Sequence, residues 1–200
     1  MELAQLKQVL ANEMKKLDEL DRAGLLTAPV DLEHMFWRGI DERASLEGES
    51  VSLNGEQGVV VTGSVNVGRL VATTHVLVMG DVRATSISIT GSLLVLGTLT
   101  ADELRGHDER YSGTVVGTVT IGRAIMVQQY MMNFLGGGTI DELIDEEGGG
   151  QELIDLMSEA GSKLDVKKIS SRVPVEGIDI GSPAAERHIR DRARDEVTGC

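Results

Sequence analysis

The chain carries four histidines, His34, His75, His107 and His188, and no pair of them has the spacing of a metal site. A zinc centre needs three or four ligands, and neither an HxxxH pattern nor paired cysteines supplies them. His75 and His107 fall in a repetitive stretch that brings them within one or two turns of each other. His107 is followed by Asp108, Glu109 and Arg110, a run of titratable groups on an expected loop and therefore a possible loop site. The carboxylates Asp141, Glu142, Asp145, Glu146 and Glu147, continued by Glu152 and Asp155, lack the alternating spacing of a calcium loop. They fit an exposed acidic surface that meets a partner. Gly136–Gly138 and Gly148–Gly150 have acidic neighbours and no following lysine, which disfavours phosphate, and no nucleophile elbow or dinucleotide fingerprint is found. No catalytic, cofactor-binding or metal-ligating residue is assigned. Trp37, the one tryptophan, either caps the core or anchors a partner.

Composition narrows the classes. The net charge is −13, which disfavours nucleic acid as a partner. From Ala124 to Ser162 there are eight carboxylates and no lysine or arginine, so the expected partner is a basic protein. The single cysteine, Cys200, fits a reducing compartment. No apolar run is long enough to span a membrane, and the charged N-terminus lacks a signal-peptide core. The expectation is a soluble cytoplasmic protein. Aromatics make up only 2% of the residues, against 24 glycines. The core must therefore be built from Val, Leu, Ile, Met and Ala.

These residues have to be positioned by an internal repeat. Gly63, Gly80, Gly97 and Gly117 recur with Val61, Val78, Val95 and Val115 two residues before them. Val65, Val82, Leu99 and Val119 stand two residues after. The residue following each glycine is small or acidic: Ser64, Asp81, Thr98 and Thr118. Alternation around a fixed glycine reads as strand, corner, strand. Such a unit buries its apolar side only by stacking on its copies. A turn of ~17 residues at ~3.3 Å each has a perimeter of ~55 Å, enough for three short sides. The expected fold is a mainly β protein with α flanks: a short β-solenoid (β-helix) of about four 17-residue rungs. The expected organisation is an N-terminal helical cap over 1–45, the solenoid over 46–130, and an acidic helical region over 131–200. Within the flanks, Leu3, Leu6, Leu10, Leu17 and Leu20 predict an amphipathic helix, and Asp31 predicts a cap. Thr139 with Glu142 predicts a capping box, and Gln151 to Ala160 a further helix. Ser182–Pro183 predicts a charged terminal helix, after an extended piece over 173–180. The extra residues Arg105 to Tyr111 predict a protruding loop.

The segments Val61–Val67, Val78–Ala84 and Val95–Ala101 resemble bactofilins, bacterial cytoskeletal proteins with a β-helical core that polymerise end to end. The likeness covers about residues 58–127, and it implies the solenoid and a capacity to self-associate. Flanks that cover the solenoid ends would block such assembly. The expected function is a non-enzymatic protein–protein interaction module. Its concrete form is an intracellular inhibitor or immunity protein bound to a basic toxin domain. A bactofilin-like scaffold is the alternative, and a cryptic enzyme using the His107 loop is the third reading.

Overall fold

A chain of short alternating strands with glycine corners satisfies its backbone hydrogen bonds by winding, each turn pairing with the next. The computed structural model describes residues 1–108, 110–146 and 149–171. Three helices come first: α1 (Leu3–Val9), α2 (Ala11–Arg22) and α3 (Leu32–Phe36). Six coils follow, each made of one short and one long strand. They are β1 (Ile40–Arg43) with β2 (Leu46–Leu53), β3 (Gly58–Val61) with β4 (Val65–Ala72), and β5 (Val76–Val78) with β6 (Val82–Ile89). The next are β7 (Leu93–Val95) with β8 (Leu99–His107), β9 (Ser112–Val115) with β10 (Val119–Val127), and β11 (Met131–Phe134) with β12 (Gly138–Asp145). Helix α4 (Gly150–Glu159) precedes a partial turn formed by β13 (Leu164–Val166) and β14 (Ile169–Ser170). The short strands form one sheet and the long strands another, and all pairings within them are parallel. This is the expected β-solenoid.

Three corners bound each coil. The first holds the recurring glycine. A Cβ at Gly80, Gly97 or Gly117 would lie within 2.7, 2.4 or 2.2 Å of the carbonyl oxygen one coil below, so no larger residue fits. The small or acidic residue after the glycine ties coils together. The Asp81 N–H donates to Ser64 Oγ (3.3 Å), and the Thr98 N–H donates to Asp81 Oδ1 (2.8 Å). The second corner bends the long strands, at Gly68 and Gly122 among others. The third joins each long strand to the next short one. The interior is a column of stacked aliphatic side chains. Leu70, Ile87, Leu104, Ala124 and Leu143 form one file, and Val61, Val78, Val95, Val115 and Phe134 another.

Several expectations need correction. The coils run well outside 46–130, and there are six of them because the first and last depart from the central pattern. In β1, Asp41 and Arg43 occupy the inward positions that Val59 and Val61 hold in the next coil, and the two form an ion pair at 2.7 Å. The expected capping box at Thr139 is absent: Thr139 and Glu142 lie in strand β12, paired with Thr120 and Arg123 of β10. The region after 131 therefore begins as a coil, and α4 is its one described helix. The loop after β8 is shorter than expected, because Arg105 and His107 still belong to the strand.

The N-terminal helices do not cover an end of the solenoid. They lie along its side. Leu6, Leu10, Leu17, Leu32, Met35 and Phe36 pack with Val60, Leu77 and Leu94, the outward-facing middle residues of β3, β5 and β7. Asp31 caps α3 as expected, accepting from the N–H groups of Glu33 (2.9 Å) and His34 (3.0 Å). The connector before α3 continues down the same face to the last coil. There the Thr27 N–H donates to Asn133 Oδ1 (2.8 Å), and Asn133 Nδ2 donates to the Ala28 carbonyl (3.1 Å). The C-terminal end of the column is covered by α4, whose buried Leu153 and Met157 join the main core. The expected extended piece over 173–180, the terminal helix at Ser182 and Cys200 lie outside the described residues.

Candidate functional site

The acidic run is divided between two elements. Asp141, Glu142 and Asp145 are on β12 and Glu146 follows it, whereas Glu152 and Asp155 are on α4. Glu147 lies outside the described residues. The partial turn supplies lysines to the strand. Lys167 Nζ donates to Asp141 Oδ1 and Lys168 Nζ to Glu142 Oε1, both at 2.5 Å. Ser170 Oγ adds a hydrogen bond to Glu142 (2.8 Å). The bonds from Lys168 and Ser170 hold the Glu142 carboxyl below the usual carboxylate range. Asp155 accepts from Gln151 Nε2 (2.9 Å). Exposed pairs of this kind contribute little to stability, but they neutralise part of the surface expected to attract a basic partner.

The expected loop site also divides. His107 ends β8, and burial first, then Arg105, lowers its pKa. Asp108 turns the chain at φ 87° and accepts two bonds from the Arg110 guanidinium, at 3.0 and 2.6 Å. With the Arg110 N–H, that contact holds the Asp108 carboxyl down at about 2. Glu109 lies outside the described residues. His75 meets other partners than His107. Its ring contacts are His34 on α3, with centroids 5.3 Å apart, and Tyr111, at 5.2 Å, both edge to face.

This unforeseen cluster sits at the third corner, where the coil turns face α3. His75 Nδ1 accepts the Ser92 N–H one coil on (3.1 Å), so the proton of the neutral ring sits on Nε2. Burial, followed by the neighbouring His34, lowers the His75 pKa and keeps that ring neutral. The guanidinium of Arg110 lies 5.4 Å from the Tyr111 ring centroid, and that of Arg38 lies 4.5 Å from the Trp37 ring centroid. Trp37 is 67% exposed, so it caps no core. Two adjoining clefts of ≈ 260 and ≈ 300 Å³ share Tyr111 as a wall. His75 and Tyr111 were findable from the sequence, because the 17-residue register places His75 over Ser92 and the turn before Ser112. The approach of His34 depends on helix docking and left no such signal.

Among the described residues no group of three or more His, Cys, Asp or Glu side chains is arranged to hold a metal ion. No described helix is long and apolar enough to cross a membrane. Comparison with protein-family models, curated proteins and solved structures finds no match.

Proposed function

We propose that the protein is a non-enzymatic interaction module whose binding surface is the edge of its first coil, and that its partner offers a basic, extended segment. The observation that carries this reading is the difference between the two ends. At the C-terminal end α4 covers the apolar interior, and the long-strand sheet ends in the three- and two-residue strands β13 and β14. At the N-terminal end, β1 and β2 are the last strands of their sheets, and no described strand pairs with their outer sides. The free edge of β2 is eight residues long. Such an edge presents alternating N–H and C=O groups to an incoming strand. The carboxylates of Asp41, Glu42, Glu47 and Glu49 surround it, against Arg43 and the Met1 ammonium that bonds Glu42. An intracellular inhibitor bound to a basic toxin domain is one concrete form of this activity.

The same edge favours a second reading, a bactofilin-like scaffold in which it pairs with the edge of another copy. The opposite end offers α4 over the core and only the short edges of β13 and β14, so pairing through first-coil edges gives pairs. A test separates the two. The full chain is titrated with an eight-residue alternating Lys-Val peptide and its Glu-Val counterpart while backbone amide shifts are followed. The expected result is salt-sensitive binding of the basic peptide with shifts confined to residues 40–53, weakened in Glu47→Lys/Glu49→Lys. Shifts mapping elsewhere, or equal binding of both peptides, would sink the proposal. Concentration-dependent dimerisation in light scattering, with no peptide binding, would favour the scaffold.

A further inference from the structure

The chain has five aromatic residues apart from histidine, and their placement is uneven. Phe36, Tyr130 and Phe134 are buried. Trp37 and Tyr111 are not, and both border the cleft at the third corner of the coils. That cleft continues past Tyr111 into its neighbour, which ends at Met131, itself 44% exposed. The turns along this groove belong to five successive coils. At ~4.8 Å per coil the groove is ~19 Å long and runs parallel to the solenoid axis.

Its chemistry is apolar rings and hydroxyls, with both rim arginines paired and the Asp31 carboxylate accepting from the Glu33 and His34 N–H groups of α3. The two arginines at the rim each have a carboxylate partner: Arg38 meets Glu56 at 3.5 Å, and Arg110 meets Asp108 at 2.6 Å. A phosphate or carboxylate ligand would have to displace one of those partners. The hydroxyls of Thr90, Ser92 and Ser112 line the groove and make no hydrogen bond within the described structure. Each is both donor and acceptor. The His75 Nε2–H adds a neutral donor.

We propose that this groove binds a neutral, polyhydroxylated chain, an oligosaccharide, with Trp37 and Tyr111 as the rings against which sugar faces stack, on the sides not taken by the Arg38 and Arg110 guanidinium groups. The polarised C–H groups on one face of a sugar ring match the negative face of an aromatic ring. The sugar hydroxyls match the unengaged serine and threonine oxygens. The paired rim charges give neutral ligands the advantage over anionic ones. The groove starts at the turn that follows β2 and runs along the side of the coils, whereas the proposed interaction surface is the outer strand edge of the first coil, and Glu47→Lys/Glu49→Lys tells the two apart.

Trp37 is the only tryptophan in the chain, so its fluorescence reports this groove alone. The full chain is titrated with maltohexaose, cellohexaose and chitohexaose, and separately with a proline-rich hexapeptide. The expected result is a saturable, salt-insensitive change in emission with at least one hexasaccharide. Tyr111→Ala should weaken that binding about tenfold, and the shape-conserving Thr90→Val should weaken it severalfold, both with unchanged thermal melting. Glu47→Lys/Glu49→Lys should leave it as it is. The proposal is overturned if none of the three hexasaccharides gives a saturable change, if Tyr111→Ala and Thr90→Val bind like the parent, or if the peptide saturates the signal while the sugars do not.

Discussion

At the residue scale, the corner glycines decide which sequences can wind. A Cβ at residue 97 would sit 2.4 Å from the Gly80 carbonyl oxygen and 2.6 Å from its carbon. Both atoms are backbone, and parallel ladders hold them on either side. Relief requires a whole coil to shift. Gly97→Ala is therefore expected to lower stability by about 2–3 kcal/mol. Urea unfolding should show this as a lower midpoint with the same slope. Gly24→Ala is the matched comparison. There φ is 69° and no atom lies within 4 Å of the added Cβ, so only the ~1 kcal/mol of left-handed backbone strain remains. Equal losses in the two variants would mean that space at the corner is not what selects glycine.

At the element scale, the connector between α2 and α3 acts as a strap across the short-strand sheet. Asn133 is fully buried and holds it from the last coil. Its Oδ1 accepts from the Thr27 N–H (2.8 Å) and Thr27 Oγ1 (2.9 Å), and its Nδ2 donates to the Ala28 carbonyl and Thr114 Oγ1, both at 3.1 Å. Asn133→Ala strands buried polar groups on both sides of the contact, at a cost of about 2–3 kcal/mol. Limited proteolysis should cut within 23–31 several times faster in the variant, and an unchanged cleavage rate would exclude the strap. The sequence disclosed these elements unevenly. The corner glycines and the alternation after them identified the central coils, because sterics and period 2 both write into local sequence. Gly136 continues the same corner above Gly117, yet Gly137 and Gly138 follow it and disguise it as a helix boundary. The adjacent buried residues Leu143 and Ile144, beside a bend at Asp141, imitate a helix face better than a strand. Val59–Val61, Val76–Val78 and Leu93–Val95 carry a further signal. These three-residue apolar runs do not alternate, the mark of strands buried on both faces. They show where α1, α2 and α3 dock. In the candidate groove, His75 and Tyr111 are tied to the repeat register, whereas Trp37 and His34 arrive with a helix whose docking no local pattern encodes.

At the scale of the whole molecule, the two ends of the column decide whether chains stack. The inward positions of the short strands carry Val59 and Val61, then Val76 and Val78, then Leu93 and Val95. Only in the first coil are they charged, with Arg43 bonding Asp41 through Nε and Nη2. The side chains of Arg43 and Asp41 are 53% and 37% exposed. Inward-pointing charge on an edge strand is a device that discourages edge-to-edge pairing. Removing it should make the end adhesive. In Asp41→Val/Arg43→Val the aliphatic column would reach the surface, and each valine gains about 1.5–3 kcal/mol if a second chain covers it. A two-fold contact between first coils would bury four such side chains. The expected outcome is a dimer in light scattering at concentrations where the parent chain is smaller, with reductant present to keep Cys200 from crosslinking. Growth should stop at two chains, because Leu153 and Met157 of α4 already fill the other end of each column. Should the variant instead form long assemblies, α4 does not seal that end and the molecule can add copies at both. Should it remain the size of the parent, the charge pair is not what keeps the first coil apart from its copies.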